Sequence, residues 1–460
     1  MLIINTFFRK YRNVFLALLI VGSPVFGFAQ ADSVFSVKDC LEYASINNIL
    51  IRVARLEQEV GIKQVKEVAG RALPQARITG SLDDRDKLPL LVLPPNAVFP
   101  EGVRAKSGYQ FSDNLTGEVT QAFFDPTILI GVKAAKFNNL LYKQKTYQIT
   151  VQAALDIATS YYQAVVATKQ LVFLQTNVEN TTKTLANTKL QVQNGIAKPV
   201  DAKRIQVNLT NSQAQVRQTQ LTLAQALNDL KYNMGMPLEK QIRLSDTTLA
   251  FDPGDDFLPP GASFYENRID YKILQSNLVL QKLDVKNINS GYLPVFTGYI
   301  NYGYVGQGAT FGLYENQTNH WVQYNTSAVG MRLNFYVFDG LQKVARAQQG
   351  MIKAKEIEQN MLRMQQTVNH DVTNAYLQYR NNEQRIEYEK QNVELAQEVY
   401  QITQLQFREG TATSTEVVDA ETAMLLAQNT YTQSLLQLYT ARLALEKAKG
   451  SLLEYLNSKQ

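Results

Sequence analysis

Few residues in this chain could do chemistry, and those few are scattered. His320 and His370 are its two histidines and Cys40 its one cysteine in 460 residues. They lie too far apart in sequence to suggest a metal site or a His-based catalytic site. No nucleophile, base or cofactor-binding loop stands out either, so no metal and no cofactor is expected and an enzyme is the least expected class. Three carboxylates are more informative, because each follows a glycine that ends a long helical pattern. Thr413-x-x-Glu416 has the form of a capping box. Asp201 falls in the first turn after Pro199, where an acid complements the positive end of the helix dipole. Asp419 lies past the first turn, so capping does not explain it and its plain reading is a solvated face.

The helices that carry these acids occur twice. Gly195 and Gly410 end two long helical runs, and the residues around them repeat at an offset of roughly 215 positions, far beyond the 20–50 of a solenoid. Upstream, Asp156, Tyr161 and Gln163 recur as Asp371, Tyr376 and Gln378; downstream, Leu230 and Gly235 recur as Leu445 and Gly450. The chain is one architecture built from two halves.

Neither Thr127–Asn194 nor Leu341–Glu409 contains a proline, and both consist mostly of good helix formers. At ~1.5 Å per residue each would be roughly 100 Å long. Leu171, Leu174, Val178, Thr181, Leu185, Thr188 and Val192 alternate by three and four, and Ile386, Val393, Ala396, Tyr400, Thr403 and Phe407 follow the same register in the second half, which is coiled-coil spacing. The return helices after Gly195 and Gly410 are about half as long as their partners. Asp39–Leu73 and Asn267–Ser290 can stack end to end on them to complete two antiparallel hairpins.

Strands lie at the opposite end. Val329, Met331, Leu333, Phe335 and Val337 alternate with Gly330, Arg332, Asn334 and Tyr336, giving one apolar face and one polar face. Such alternation over ~10 residues suits a transmembrane β-strand, and a half-buried strand of a soluble sheet would show it too. Tyr299, Tyr302, Phe123, Phe124 and Phe338 could form an aromatic girdle. No segment past the N-terminus is apolar enough for a membrane helix, so a span must be a barrel. Four strands cannot close one: about eight leave an interior filled by side chains. Three chains, with ~12 strands, is the smallest count that leaves a lumen. Asp83–Asn114, with Pro89, Pro94, Pro95 and Pro100, and Gly306–Gln323, with Trp321, are expected to be external loops.

The N-terminus has the form of a secretory signal: Arg9–Arg12, an apolar run from Val14 to Val21, then Gly27-Phe28-Ala29. Its removal lowers the net charge from +5 to about +2. That is too little for a polyanion binder, so nucleic acid is not an expected partner.

Taken together, the signal segment, the tandem helix–strand–helix duplication and the glycine-ended hairpins resemble the TolC-type outer-membrane channel family. The most specific piece is the tip Gly410-Thr411-Ala412-Thr413-Ser414-Thr415-Glu416-Val417-Val418-Asp419-Ala420, matched in the first half by Gly195-Ile196-Ala197-Lys198-Pro199-Val200-Asp201. Val37–Ala44 followed by Asn47-Asn48 is similar to the family's N-terminal segment. The resemblance implies an α+β membrane protein in which long antiparallel helical hairpins form a coiled-coil tunnel. Four strands per chain would contribute to a shared 12-stranded barrel of a homotrimer. It implies a passive duct in the outer membrane of a Gram-negative bacterium, in contact with outer-membrane lipid, with its helices in the periplasm. A periplasmic adaptor would dock on it and link it to an inner-membrane pump. The cargo, small molecules or proteins, is left open.

At the tip, the resemblance implies a constriction formed by Asp201, Phe407, Glu416 and Asp419, where three-fold rings of acids favour cations. It implies adaptor contact at Gly195, Ile196, Gly410 and Thr411. Phe407 stands where a tyrosine hydroxyl would help latch the closed state, and Ala412 where an arginine would pair with an acid. Closure around Phe407 is therefore expected to rest on apolar packing. A periplasmic coiled-coil adaptor or structural protein of an export complex is the alternative, and the four amphipathic strands argue against it.

The expected organisation is a signal peptide over 1–29, a first repeat over 30–245, a linker over 246–265 and a second repeat over 266–460. The first repeat holds strands near 76–84 and 115–124, a long helix over 126–194 and a return helix over 199–234. The second holds strands near 295–305 and 327–338, a long helix over 340–409 and a return helix over 413–449.

Overall fold

The computed structural model describes residues 33–95, 100–245, 264–310 and 321–458. The signal segment and nearly all of the linker lie outside the described residues.

Helix α1 (Val37–Asn47) begins under a capping box from Ser36 and Asp39. Helix α2 (Ile49–Gly70) follows at once, its own cap being the Asn48 side chain. The expected single segment Asp39–Leu73 is thus two helices, because Asn48 has extended backbone and its side-chain oxygen accepts from the Ile51 amide. Helix α3 (Pro126–Gln193) has 68 residues and starts with proline at its first position behind an Asp125 cap. It turns back into α4 (Pro199–Met234). Helix α5 (Ile269–Ser290), α6 (Gln342–Arg408) and α7 (Ser414–Lys449) repeat the α2–α3–α4 set, and α8 (Leu452–Ser458) closes the chain.

Helix α4 packs along α3, and α7 along α6, while α2 and α5 fill the remaining lengths of α3 and α6. The ends meet closely. Gly235, left-handed at φ 71°, terminates α4 so near the α1–α2 junction that a Cβ there would lie 2.5 Å from the Asn47 carbonyl oxygen. Asn48 Nδ2 donates to the Asn233 carbonyl at 2.6 Å, tying α2 to the end of α4. In the second half, Gly450 abuts Asn267 just ahead of α5.

At this level sits the main core. Ile157, Tyr161, Leu230, Met234, Val368, Tyr379, Leu438 and Leu445 come together with Cys40 of α1 and with Leu452 and Leu456 of α8. Two short strands, β1 (Ser33–Phe35) and β6 (Ile242–Leu244), pair in parallel beside it. A waist of this kind fixes the two hairpins to each other.

The sheet lies beyond the far ends of the long helices. Strands β2 (Gln75–Asp84), β5 (Phe111–Phe124), β7 (Val295–Gly308) and β8 (Val322–Asn334) form one antiparallel sheet in the order β2-β5-β7-β8. Its register places Ile78, Leu82, Leu115, Val119, Phe296, Ile300, Val329, Met331 and Leu333 on one face. These side chains are exposed, Val329 by 80% and Ile78 by 77%. The other face carries Arg77, Glu118, Asn301 and Arg332; Arg77 is paired to Glu118 at 2.8 Å, and Arg332 lies over the Tyr299 ring. Among the described residues, no helix is long and apolar enough to cross a membrane.

Two sequence expectations are corrected here. The strand expected near 327–338 is Val322–Asn334. Its alternation continues to Val337, but its neighbour β7 begins at Val295, which pairs with Asn334, so residues beyond 334 have no ladder partner. At the other end β8 starts earlier because β7 runs on to Gly308. The expected loop Asp83–Asn114 contains a hairpin, β3 (Leu90–Leu93) with β4 (Val103–Lys106), and is shortened by the extension of β5 to Phe111. The prolines bracket β3 instead of interrupting it.

Replacing Gly235 by Ala puts a side chain into left-handed backbone, at about 1–2 kcal/mol, and also against Asn47. Gly410→Ala at φ 80° has the same backbone strain with open space around it. Thermal melting in detergent should therefore show a larger loss for Gly235→Ala than for Gly410→Ala; equal losses would contradict the end-to-end packing.

Candidate functional site: the hairpin tips and the seam between them

Each long helix ends in the same turn. Ile196 N–H donates to the Gln191 carbonyl at 2.8 Å and Thr411 N–H to the Gln406 carbonyl at 2.9 Å, with Gly195 and Gly410 in left-handed conformation. Gly195, Ile196, Gly410 and Thr411 are all exposed. Both helix starts that follow are capped by the acids noted in the sequence. Glu416 accepts from the Thr413 amide at 2.6 Å and from its hydroxyl at 2.9 Å, while Thr413 Oγ1 accepts from the Glu416 amide. The Thr413 backbone bond, and then its hydroxyl, hold the Glu416 carboxyl below the usual range. Asp201 accepts from the Lys198 amide at 3.1 Å with one oxygen.

The other oxygen of Asp201 accepts from Ser414 Oγ at 2.5 Å, across to the second hairpin. Arg204 of α4 reaches the Thr415 hydroxyl beside it. Asp201 is therefore both a cap and a tie between the tips. Asp419 is exposed, with no hydrogen bond or ion pair among the described residues. Phe407 is half-buried between two small clusters, Tyr400–Val417–Ala420–Met424 on its own hairpin and Leu185–Ile205–Leu209 on the other. Its packing is apolar and spans both hairpins. The tip thus brings together Asp201, Phe407 and the start of α7, and leaves Asp419 apart.

Sequence reasoning missed the seam just above. Glu421 of α7 is 2% exposed. One of its oxygens contacts the Thr181 hydroxyl of α3; the other accepts from Asn208 Nδ2 of α4 at 2.8 Å. Burial pushes its carboxyl above the usual range, against the lowering effect of those two bonds. Tyr400 of α6 is buried against the same Thr181, and burial raises its hydroxyl's pKa as well. Further along, Gln404 bonds Thr184 at 2.9 Å, Asn177 bonds Gln428 at 3.0 Å and Gln170 bonds Asn429 at 3.1 Å. The two hairpins therefore meet at the tip through these polar groups together with the apolar packing around Phe407, and at the waist through a much larger apolar core. The available signal was spacing: Val417, Glu421, Met424 and Gln428 follow the same three-and-four alternation as the apolar seams.

A groove beside the tip runs between α4 and α7. It is lined by Val200, Lys203, Arg204, Val207, Thr415 and Val418.

Thr413→Ala should cost about 1 kcal/mol at the start of α7. In the intact protein the lowered Glu416 pKa contributes stability that is present above the usual carboxylate range and is lost as pH falls through the folded-state value. Protection of the first-turn amides of α7, taken relative to the intrinsic exchange rate at each pH, should fall in acid for the wild type and be low at every pH in Thr413→Ala. Protection independent of both would contradict the cap.

Residues 288–451 match the sequence profile of the outer membrane efflux protein family. No curated protein matches the chain by sequence. Solved structures with a similar fold include the outer-membrane channel CmeC of Campylobacter jejuni, with a TM-score of 0.69 at 12% identity over 92% of this chain and 89% of that one. They also include the outer-membrane protein VceC of Vibrio cholerae, at 0.67 and 14% over 90% and 96%. The outer-membrane channel MtrE of Neisseria gonorrhoeae in its open state scores 0.64 at 15% over 90% and 89%. By sequence over residues 288–451 the chain resembles the outer membrane efflux protein family, and along nearly its whole described length it has the fold of these solved outer-membrane channels.

Proposed function

We propose that this protein is the outer-membrane duct of a tripartite export system, a homotrimer that carries cargo across the periplasm and the outer membrane without chemistry of its own. The observation that carries the reading is the four-stranded sheet, apolar on one exposed face, polar on the other, and open at both edges. Three copies supply ~12 strands, enough for a lumen lined by the polar face. The apolar face then contacts outer-membrane lipid, and the hairpins of three chains form the periplasmic tunnel. A periplasmic adaptor in water would have no use for an exposed apolar face of this extent.

The energy comes from an inner-membrane pump, coupled through a periplasmic adaptor. Adaptor docking falls to the exposed turns at Gly195–Ile196 and Gly410–Thr411 and to the groove between α4 and α7. At the constriction, Glu416 and Asp419 act as rings that favour cations, with Phe407 packing the closed tip. Asp201 contributes chiefly by joining the two tips through Ser414.

In planar bilayers under a salt gradient, the purified protein should pass current with a cation preference. Asp419→Asn should weaken that preference without loss of stability, since Asp419 caps nothing. A pore with unchanged selectivity in Asp419→Asn would contradict its place in the constriction, and a protein that forms no pore would contradict the duct.

A further inference from the structure

The geometry points to Glu421 as a proton-operated latch between the two hairpins of one chain, a positioning residue that holds the tip in the arrangement seen here. This rests on the duct reading. Hydrogen counting at the seam supports it. Thr181 Oγ1 lies 2.9 Å from the Asn177 carbonyl oxygen and also in contact with Glu421 Oε1, so one hydroxyl hydrogen faces two acceptors. An ionised Glu421 leaves one of those contacts without a hydrogen, in a place water does not reach. A proton on Glu421 Oε1 resolves both: the acid donates to Thr181, Thr181 donates to Asn177, and Oε2 still accepts from Asn208.

The groups that face Glu421 are Thr181 on α3, Asn208 on α4 and Tyr400 on α6. Among the described residues no cation offsets its charge. Arg204 of α4 is engaged with Thr415, and Arg408 of α6 acts on Tyr400. Burial without a counter-charge raises the pKa of the closed seam, as the direction of the Glu421 shift shows. If the seam slips and Glu421 meets water, its pKa returns toward the usual value. The closed arrangement therefore binds the proton more tightly, and by linkage acid favours closure while rising pH weakens it.

The experiment is single-channel recording of the full-length protein in planar bilayers from neutral to mildly acidic pH, with thermal melting of each variant as a check on assembly. The wild type should spend less time conducting as pH falls. Glu421→Gln, whose amide can donate to Thr181 while its oxygen accepts from Asn208, should stay mostly closed with no pH response. Glu421→Ala should conduct several-fold more at every pH. Asn208→Asp places a second carboxylate against the first, so it should open the channel at neutral pH and recover in acid; it decides the matter even where Glu421→Ala fails to assemble. Variants that match a conducting wild type at every pH, or a Glu421→Gln that keeps the wild-type pH response, overturn the latch alone. A wild type that passes no current under any condition overturns the duct reading, and the latch with it.

Discussion

An open four-stranded sheet with an exposed apolar face is the constraint that shapes everything else in this molecule. Strands β2 and β8 each offer a row of backbone N–H and C=O groups with no strand neighbour among the described residues. In water such edges invite pairing. In hydrocarbon they cannot persist, because nothing there replaces the missing hydrogen bonds. Edge and face together underlie the proposal that β8 of one copy meets β2 of the next and closes a ring.

The helical part continues from the same sheet. Each repeat sends one long helix away from the sheet and a return helix back along it, and the return helix is too short to reach. Helices α2 and α5 make up the difference, so strands and hairpins share one continuous set of helical tracks. The large apolar core lies at the join, where α1, α8 and the β1–β6 pair gather around Tyr161, Tyr379, Leu438 and Leu445. From there toward the tip polar contacts join the hairpins, through Gln170–Asn429, Asn177–Gln428 and Thr181–Glu421, before the small apolar cluster around Phe407. Apolar packing near the waist resists displacement, whereas hydrogen bonds can exchange partners. The apolar join between the hairpins is thus larger at the middle than at the tip.

Local pattern made much of this legible. Glycine punctuation, the absence of proline and the three-and-four spacing of Leu174, Thr181, Leu185 and Thr188 marked the first long hairpin, and all four of those residues are buried. Period-two alternation marked the sheet and its two faces. Features set by distant partners were not legible. The end of β8 at Asn334 depends on where β7 begins, which alternation within β8 cannot reveal. The β3–β4 hairpin was hidden by the prolines around it. Glu421 was missed because a glutamate on a helix reads as solvated until Thr181 and Asn208, more than 200 positions away, are seen to hold it. Asp201 was read as a choice between a helix cap and a place in the gate; its two oxygens serve its own helix and the other hairpin at once.

The central claim is that this chain completes its sheet only by joining copies of itself. Electron microscopy of the protein purified from outer membranes in detergent tests it most directly. Helices of ~100 Å and a barrel band of ~25 Å predict a hollow particle of three-fold symmetry, well over 100 Å long, with density closing the barrel between β8 and β2 of adjacent chains. A soluble monomeric rod, or a ring of any other symmetry, would contradict it.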